Sequence, residues 1–242
     1  MKSCRSGSRG TAAALWTGGK DSAFALHLAL EAGYDVRQLV TFVPPRAQFR
    51  AHPLEVMRLQ AEALGLEHRT VTIRRPYRVS YGSALSALRD EGITTLITGD
   101  IDRIGGDPNW IRDRARPLGL YVFTPLWRRS RTGVLRALLR ARFEVIFSCT
   151  DATRLEEDWL GRILDPSAIR ELASISRSTG LDPAGEQGEF HTIALDTPRF
   201  RKRLVIRRWV PALRGKWSYM RILDMGLTAK RRPGGDRGAS LR

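Results

Sequence analysis

The fold of this chain is decided by residues 12–22, which read AAALWTGGKDS. The short apolar run over residues 12–16 ends at a pair of glycines and predicts a buried strand. The following residues, 21–32, predict a helix that ends at Gly33. Gly18 and Gly19 let the backbone turn and approach a ligand closely. Lys20 adds a positive charge beside the free N–H groups of the helix start, so the junction predicts a phosphate-binding loop.

The loop matches neither of the two common phosphate-binding patterns. A Walker A loop requires Gly-x-x-x-x-Gly-Lys-Ser/Thr and a dinucleotide loop requires Gly-x-Gly-x-x-Gly. The alternative is a Gly-Gly turn before a capped helix, in which Asp21 serves as the N-cap. A position after the first strand of a parallel sheet, followed by Lys-Asp-Ser, favours the phosphate loop. We expect Lys20 to lie on an exposed part of this loop.

Short apolar runs alternate with helical patterns through the first half of the chain. The apolar runs predict strands over residues 36–43, 68–73, 94–98 and 120–123. The segments between them predict helices over residues 53–64, 79–89 and 110–117. This rhythm is typical of parallel βαβ units in a doubly wound, Rossmann-like sheet. We therefore predict an α/β domain over residues 11–125.

The second half of the chain has a different pattern. Helices are predicted over residues 132–142 and 166–179, and strands over residues 143–149, 190–195, 203–210 and 217–223. The last three strands have no helices between them, which indicates a smaller α+β domain over residues 126–226. Residues 227–242 are rich in Gly, Arg and Pro and predict a disordered basic tail.

Charge and composition limit the possible partners. The formal net charge is +16, but residues 201–242 hold 13 basic against 2 acidic residues, whereas residues 11–200 hold 25 against 23. Arginine accounts for 36 of the 41 basic residues, which coding bias alone produces, so we do not expect nucleic-acid binding. No apolar run is long enough to span a membrane, and no leader peptide is apparent. Two cysteines exclude a disulfide framework, and we expect a cytoplasmic protein.

Five stretches of the chain resemble one family of ATP-using enzymes. Residues 17–22, TGGKDS, resemble the SGGxDS loop of N-type ATP pyrophosphatases, the adenine nucleotide alpha hydrolase-like superfamily. The chain resembles more narrowly the diphthine–ammonia ligases, through residues 59–65 (LQAEALG), 123–127 (FTPLW), 159–162 (WLGR) and 182–192 (DPAGEQGEFHT). The last of these is similar to the family's NPAGEGGEYET signature. The resemblance extends from about residue 12 to about residue 210.

The resemblance implies an ATP site and a bound Mg²⁺. Backbone N–H groups of the loop would hold the phosphates that leave as pyrophosphate, and Lys20 would neutralise their charge. The hydroxyls of the first and last loop residues would add hydrogen bonds, and Asp21 would help to hold Mg²⁺. The adenine would lie at the end of the second strand. The ATP-binding residues implied are Thr17, Gly18, Gly19, Lys20, Asp21, Ser22, Phe42, Val43 and Gly99.

Carboxylates in two loops are further candidates. Asp100 and Asp102 follow the fourth strand and come near the phosphate loop if the strand order reverses between strands one and four. Glu186 and Glu189 lie in the glycine-flanked signature loop and are candidates for binding or deprotonating an amine. We assign catalytic roles to Lys20, Asp100, Glu186 and Glu189.

Histidines and cysteines give weaker signals. His52 matches a histidine of the family but is equally well explained as a helix cap, and His191 shows no partner at metal-ligand spacing. Cys149 ends an apolar run and is expected to be buried rather than catalytic. The family usually carries a TGAI-x-S-D-Y-Q-like stretch where residues 98–110 read TGDIDRIGGDPNW, which leaves the acceptor substrate open.

The function implied by the resemblance is ATP-dependent amide formation. A carboxylate attacks the α-phosphate, pyrophosphate leaves, and ammonia displaces AMP. The acceptor implied is diphthine on elongation factor 2, and a homodimer is left open. Two alternatives remain: an enzyme that uses the same loop to modify RNA, and a nucleotide-binding module without catalysis.

Overall fold

Five parallel strands form the first sheet of the computed structural model, which describes residues 9–46, 49–102 and 110–230. The strands are β1 (Thr11–Leu15), β2 (Asp35–Val43), β3 (Glu67–Thr72), β4 (Thr95–Ile97) and β5 (Tyr121–Phe123). Their order is β3-β2-β1-β4-β5. The order reverses between β1 and β4, which is the arrangement that brings the loop after β4 near the phosphate loop after β1. The prediction of a doubly wound parallel sheet is confirmed.

Helices cover both faces of this sheet. They are α1 (Lys20–Glu31), α2 (Leu54–Leu64), α3 (Tyr77–Asp90) and α4 (Trp110–Ala115). The alanines of β1 show why two layers form, since successive side chains of a strand point to opposite faces. Ala12 and Ala14 are buried in one apolar cluster, and Ala13 is buried in another. A strand that is apolar on both faces is stable only between two layers of helices.

Four antiparallel strands form the second sheet. They are β6 (Glu144–Asp151), β7 (Phe190–Asp196), β8 (Lys202–Arg214) and β9 (Trp217–Ala229), in the order β7-β6-β9-β8. Two helices, α5 (Arg131–Arg140) and α6 (Pro166–Thr179), accompany them. Within the described ranges, no helix combines the length and apolar composition needed to cross a bilayer.

The hairpin of β8 and β9 is longer than the sequence pattern predicts. Each strand has 13 residues, and their pairing extends from Lys202–Ala229 to Arg214–Trp217. The prediction of a tail from residue 227 is wrong by three residues, since Leu227 to Ala229 pair with β8. Residues 231–242, the rest of the predicted tail, lie outside the described residues.

The two sheets are joined at a buried glutamine. Gln60 of α2 is 0% exposed, and its amide nitrogen donates to the carbonyls of Gly18, at 2.9 Å, and Ala194, at 2.8 Å. Its amide oxygen accepts from the indole N–H of Trp16, at 3.1 Å. The N–H of Ala194 also donates to the Gly18 carbonyl. The phosphate loop after β1 is therefore attached directly to β7 of the second sheet.

Replacing Gln60 by leucine should destabilise the protein substantially. The Gln60→Leu variant keeps the volume but leaves the Trp16 indole N–H without its acceptor and removes one donor each from the Gly18 and Ala194 carbonyls. A buried group left unpaired costs about 1–3 kcal/mol. We expect a loss of about 2 kcal/mol or more in the free energy of unfolding, measured by urea denaturation. Gln187→Leu, at an exposed glutamine, is the control and should stay within about 0.5 kcal/mol of wild type. Equal stability of the two variants would contradict the role of Gln60.

Candidate functional site

The phosphate loop opens into a cavity of about 400 Å³ at the carboxyl edge of the first sheet. This is the point where the strand order reverses, which is where ligands bind in open α/β sheets. Gly185, Glu186 and Gly188 of the signature loop before β7 form the opposite wall. The predicted site residues that line the cavity are Thr17, Gly19, Lys20, Asp21, Ser22, Gly99, Asp100 and Glu186.

Three glycines allow the backbone segments at this edge to approach each other. Gly18 has φ +76°, and a Cβ there would lie 2.5 Å from the Gln60 amide oxygen. A Cβ on Gly19 would lie 3.2 Å from His52 Nε2 and from the Thr192 carbonyl. A Cβ on Gly99, after β4, would lie 2.5 Å from the backbone of Asp21. Larger residues at Gly18 or Gly99 would push the loop away from its supports.

The expectation that Lys20 lies on an exposed loop is wrong. Lys20 is the first residue of α1 and is only 4% exposed. Its ammonium donates to the Asp21 carboxylate and to the Ala184 carbonyl, both at 2.6 Å, and lies 5.5 Å from the centre of the Phe190 ring. The signature loop folds over this helix start and covers it. The positive charge therefore points into the cavity with little room to move.

Asp21 and Glu186 form an acidic pair beside Lys20. Burial raises the pKa of Asp21, the attraction of Lys20 lowers it, and Asp182 raises it further. Burial and the charge of Asp21 raise the pKa of Glu186 to about 7, opposed by Lys20, the Ile101 N–H and Arg131. Asp21 Oδ1 is buried and has no hydrogen-bond partner among the described residues. An unpaired carboxylate oxygen next to a second carboxylate fits a hard cation such as Mg²⁺, which takes oxygen ligands from protein and phosphate.

The aspartates after β4 take different positions. Asp100 lines the cavity and accepts a hydrogen bond from the Thr98 hydroxyl at 2.7 Å. Asp102 contacts Arg131 at 3.2 Å, and Arg131 also donates to Asp182 of the signature loop at 2.8 Å. Asp102 therefore helps to hold the signature loop. Of residues 98–110, which depart from the family pattern, residues 103–109 lie outside the described residues.

Glu189 points into its own loop instead of into the cavity. It is 2% exposed, and its carboxylate accepts from the N–H groups of Asp182, at 2.9 Å, and Gln187, at 3.1 Å. Arg154 contributes a charged contact at 3.5 Å. These bonds fix the loop that carries Glu186, which makes Glu189 a positioning residue for its neighbour.

The end of β2 reaches the cavity through aromatic contacts. Phe42 packs against Tyr81, with ring centroids 5.1 Å apart, and Tyr81 packs against Trp110 at 4.5 Å. Trp110 lines the cavity, whereas Val43 is buried in the sheet and Phe42 packs against the second apolar cluster. The assignment of the adenine to Phe42 and Val43 stays a prediction. Near the end of β2, Trp110 presents an aromatic surface to the cavity.

Two histidines meet at the back of the cavity, and the sequence pattern missed this pair. The rings of His52, before α2, and His191, on β7, are 5.2 Å apart and nearly perpendicular. Burial, His191 and Lys20 lower the pKa of His52 to about 3, against a bond to the Thr192 backbone that raises it. Burial and Lys20 lower the pKa of His191 to about 4. Both imidazoles are thus neutral at pH 7. His191 could have been singled out from the sequence, because it directly follows Gly188-Glu189-Phe190 of the signature loop.

Cys149 is buried, as predicted. Burial, with a smaller effect of Asp151, raises the pKa of its thiol to about 11, so the thiolate needed for nucleophilic chemistry does not form at neutral pH. Among the described residues, no group of three or more His, Cys, Asp or Glu is arranged to hold a metal ion by itself.

A doubly wound parallel sheet with a TGGKDS loop after its first strand defines a nucleotide-binding protein of the PP-loop class. Two family models match: the diphthamide synthase N-terminal domain over residues 10–120 and the diphthamide synthase C-terminal domain over residues 131–227. The chain belongs to the diphthamide synthase family.

Curated relatives give the same picture. The chain is 26% identical to proteins named diphthine–ammonia ligase from Homo sapiens and from Rattus norvegicus, over 80% of this chain and 82% of each relative. A solved chain from Methanocaldococcus jannaschii, described as a predicted subunit of tRNA methyltransferase, is 18% identical with a TM-score of 0.46, over 78% of this chain and 98% of that one.

Neither imidazole of the His52–His191 pair should titrate near neutral pH. Histidine pKa values of about 3 and 4, against 6.5 unperturbed, mean that the neutral form is kept until the pH falls well below 5. NMR titration of ¹⁵N-labelled histidine side chains, assigned with His52→Gln and His191→Gln variants, measures this. Protonation of either ring above pH 6 would contradict the burial that the structure shows.

Proposed function

We propose that this chain is an ATP-dependent ligase that adenylates the carboxylate of an acceptor, releases pyrophosphate and forms an amide with ammonia. Membership of the diphthamide synthase family supports ATP-dependent amidation. The single observation that carries the proposal is that the phosphate loop of the first sheet and the Glu186 loop of the second sheet line one cavity. ATP bound at the phosphate loop would therefore share this cavity with Glu186, a carboxyl group that can transfer a proton.

In the first step the acceptor carboxylate attacks the α-phosphorus, and the bond to the bridging oxygen of the leaving pyrophosphate breaks. Backbone N–H groups at the start of α1 bind the β- and γ-phosphates, since the first turn of a helix has free donors and a positive dipole end. Lys20, held by Asp21 and Ala184, stabilises the charge that grows on pyrophosphate. Thr17 and Ser22, whose hydroxyls lie 3.1 Å apart, complete the loop.

Asp21 is the residue that would hold Mg²⁺. The cation would bind phosphate oxygens as well and neutralise their charge, as magnesium does in other ATP sites. This chain's own contribution is the buried, unpaired Asp21 oxygen.

In the second step ammonia attacks the acyl carbon, AMP leaves, and one proton must be removed from nitrogen. Glu186 is suited to accept it, because a pKa of about 7 leaves a useful fraction of the carboxylate ionised at neutral pH. Asp100 lines the same cavity and is the other candidate. The neutral His52–His191 pair adds no positive charge that would repel ammonium.

The relatives' name, diphthine–ammonia ligase, supports diphthine as the acceptor and ammonia as the amine donor. We assign diphthine carried by elongation factor 2 as the acceptor and ammonia as the amine donor.

The reaction should produce AMP and pyrophosphate in equal amounts. With diphthine-bearing elongation factor 2, ammonium and ATP, anion-exchange chromatography of [α-³²P]ATP products should show one AMP per amide formed. Reactions without the factor or without ammonium are the controls and should give little AMP. Release of ADP and phosphate would sink the proposed cleavage site.

Replacing Lys20 should abolish turnover. We expect Lys20→Met to lower kcat at least about 100-fold, the usual loss when one charge-stabilising donor is removed. Lys202→Met, at an exposed lysine paired with Glu62, is the matched control and should retain activity. Because Lys20 is buried, circular dichroism and urea denaturation must show that the variant is folded. A folded Lys20→Met protein with wild-type turnover would remove Lys20 from the mechanism.

A further inference from the structure

A second cavity, of about 540 Å³, lies on the other side of His191 from the phosphate loop. Its walls come from the segment before α2 and from the sheet formed by β6 to β9. The residues that give it its character are Arg50, Cys149, His191, Arg214, Trp217 and Tyr219. His191 is shared with the first cavity, so the two cavities meet at this ring.

The second cavity combines aromatic walls with positive charge. The Arg50 guanidinium lies 5.8 Å from the centre of the Tyr219 ring, and Arg214 lines the same cavity. None of the described residues that line it is a carboxylate. The neutral imidazole of His191 and the protonated thiol of Cys149 add no negative charge. Such walls favour an organic group that carries an anion, because arginine matches carboxylates in geometry and charge.

A continuous row of rings connects this cavity to the phosphate loop. The Trp217 and His191 rings are 6.2 Å apart, the His191 and His52 rings are 5.2 Å apart, and His52 Nε2 packs against Gly19. A carboxylate bound in the second cavity is therefore next to the His191 ring, which also lines the first cavity.

We propose that the second cavity is the entrance for the acceptor: it receives a carboxylate-bearing side chain, steers it with Arg50 and Arg214, and passes it along Trp217 and His191 to the phosphate loop. This assignment rests on the proposed ligase function for its catalytic meaning, but the binding of a carboxylate can be tested without turnover.

The first test uses 3-phenylpropionate as a simple aromatic carboxylate and its uncharged amide as the matched ligand. Calorimetric titration of wild type should give a Kd at least tenfold lower for the carboxylate than for the amide. Arg50→Glu/Arg214→Glu should abolish that preference. Arg136→Glu/Arg170→Glu, which makes the same change of charge at exposed positions on α5 and α6, should keep it. Equal binding of acid and amide by wild type, or equal loss in both double variants, would overturn the assignment.

The second test uses diphthine-bearing elongation factor 2 in the ligase reaction. Arg50→Glu/Arg214→Glu should raise the KM for the factor at least tenfold while the KM for ATP and the KM for ammonium stay within twofold. A rise confined to the KM for ammonium would overturn the acceptor entrance in favour of an ammonia route. A wild-type protein that binds 3-phenylpropionate as expected but does not amidate the factor would refute the proposed function and leave the carboxylate site standing.

Discussion

The site depends on the hydrogen bonds that attach the phosphate loop to the second sheet. The Gly18 carbonyl accepts from Gln60 of α2 and from the Ala194 N–H of β7, so the loop is fixed from two sides. The Lys20 N–H donates to the Thr192 hydroxyl one turn further on. A loop that belonged to the first sheet alone could bind a nucleotide. Attached in this way, it faces the Glu186 loop at a fixed distance, and the two family domains form one site.

Charge is the second constraint. Lys20, Asp21 and Glu186 are crowded into one cavity, where burial raises the pKa values of both carboxylates more than the attraction of Lys20 lowers them. The proposed Mg²⁺ and ATP phosphates would bring cations and phosphate oxygens together at this point. The His191 ring behind it lies between the charged cavity and the aromatic one.

The sequence predicted the parts of the site that depend on local pattern. The β1–α1 loop and the alternation of strands and helices follow from short stretches, and both are found in the fold. The burial of Lys20 could not be predicted, because its partner, the Ala184 carbonyl, lies 164 residues further along the chain. The orientation of Glu189 depends on backbone donors of its own loop, which no residue pattern specifies. His52 and His191 are 139 residues apart in the sequence and meet only because β7 lies beside the start of α2 in the fold. The position of either histidine in the sequence therefore did not predict their contact.

The route through an acyl adenylate is tested most directly by following oxygen. With an acceptor whose carboxylate carries ¹⁸O, attack on the α-phosphorus and later expulsion of AMP by ammonia transfer one labelled oxygen to AMP for each amide formed. Mass spectrometry of the nucleotide should therefore find one ¹⁸O in the phosphate of AMP. Label in inorganic phosphate, or AMP without label, would contradict the account.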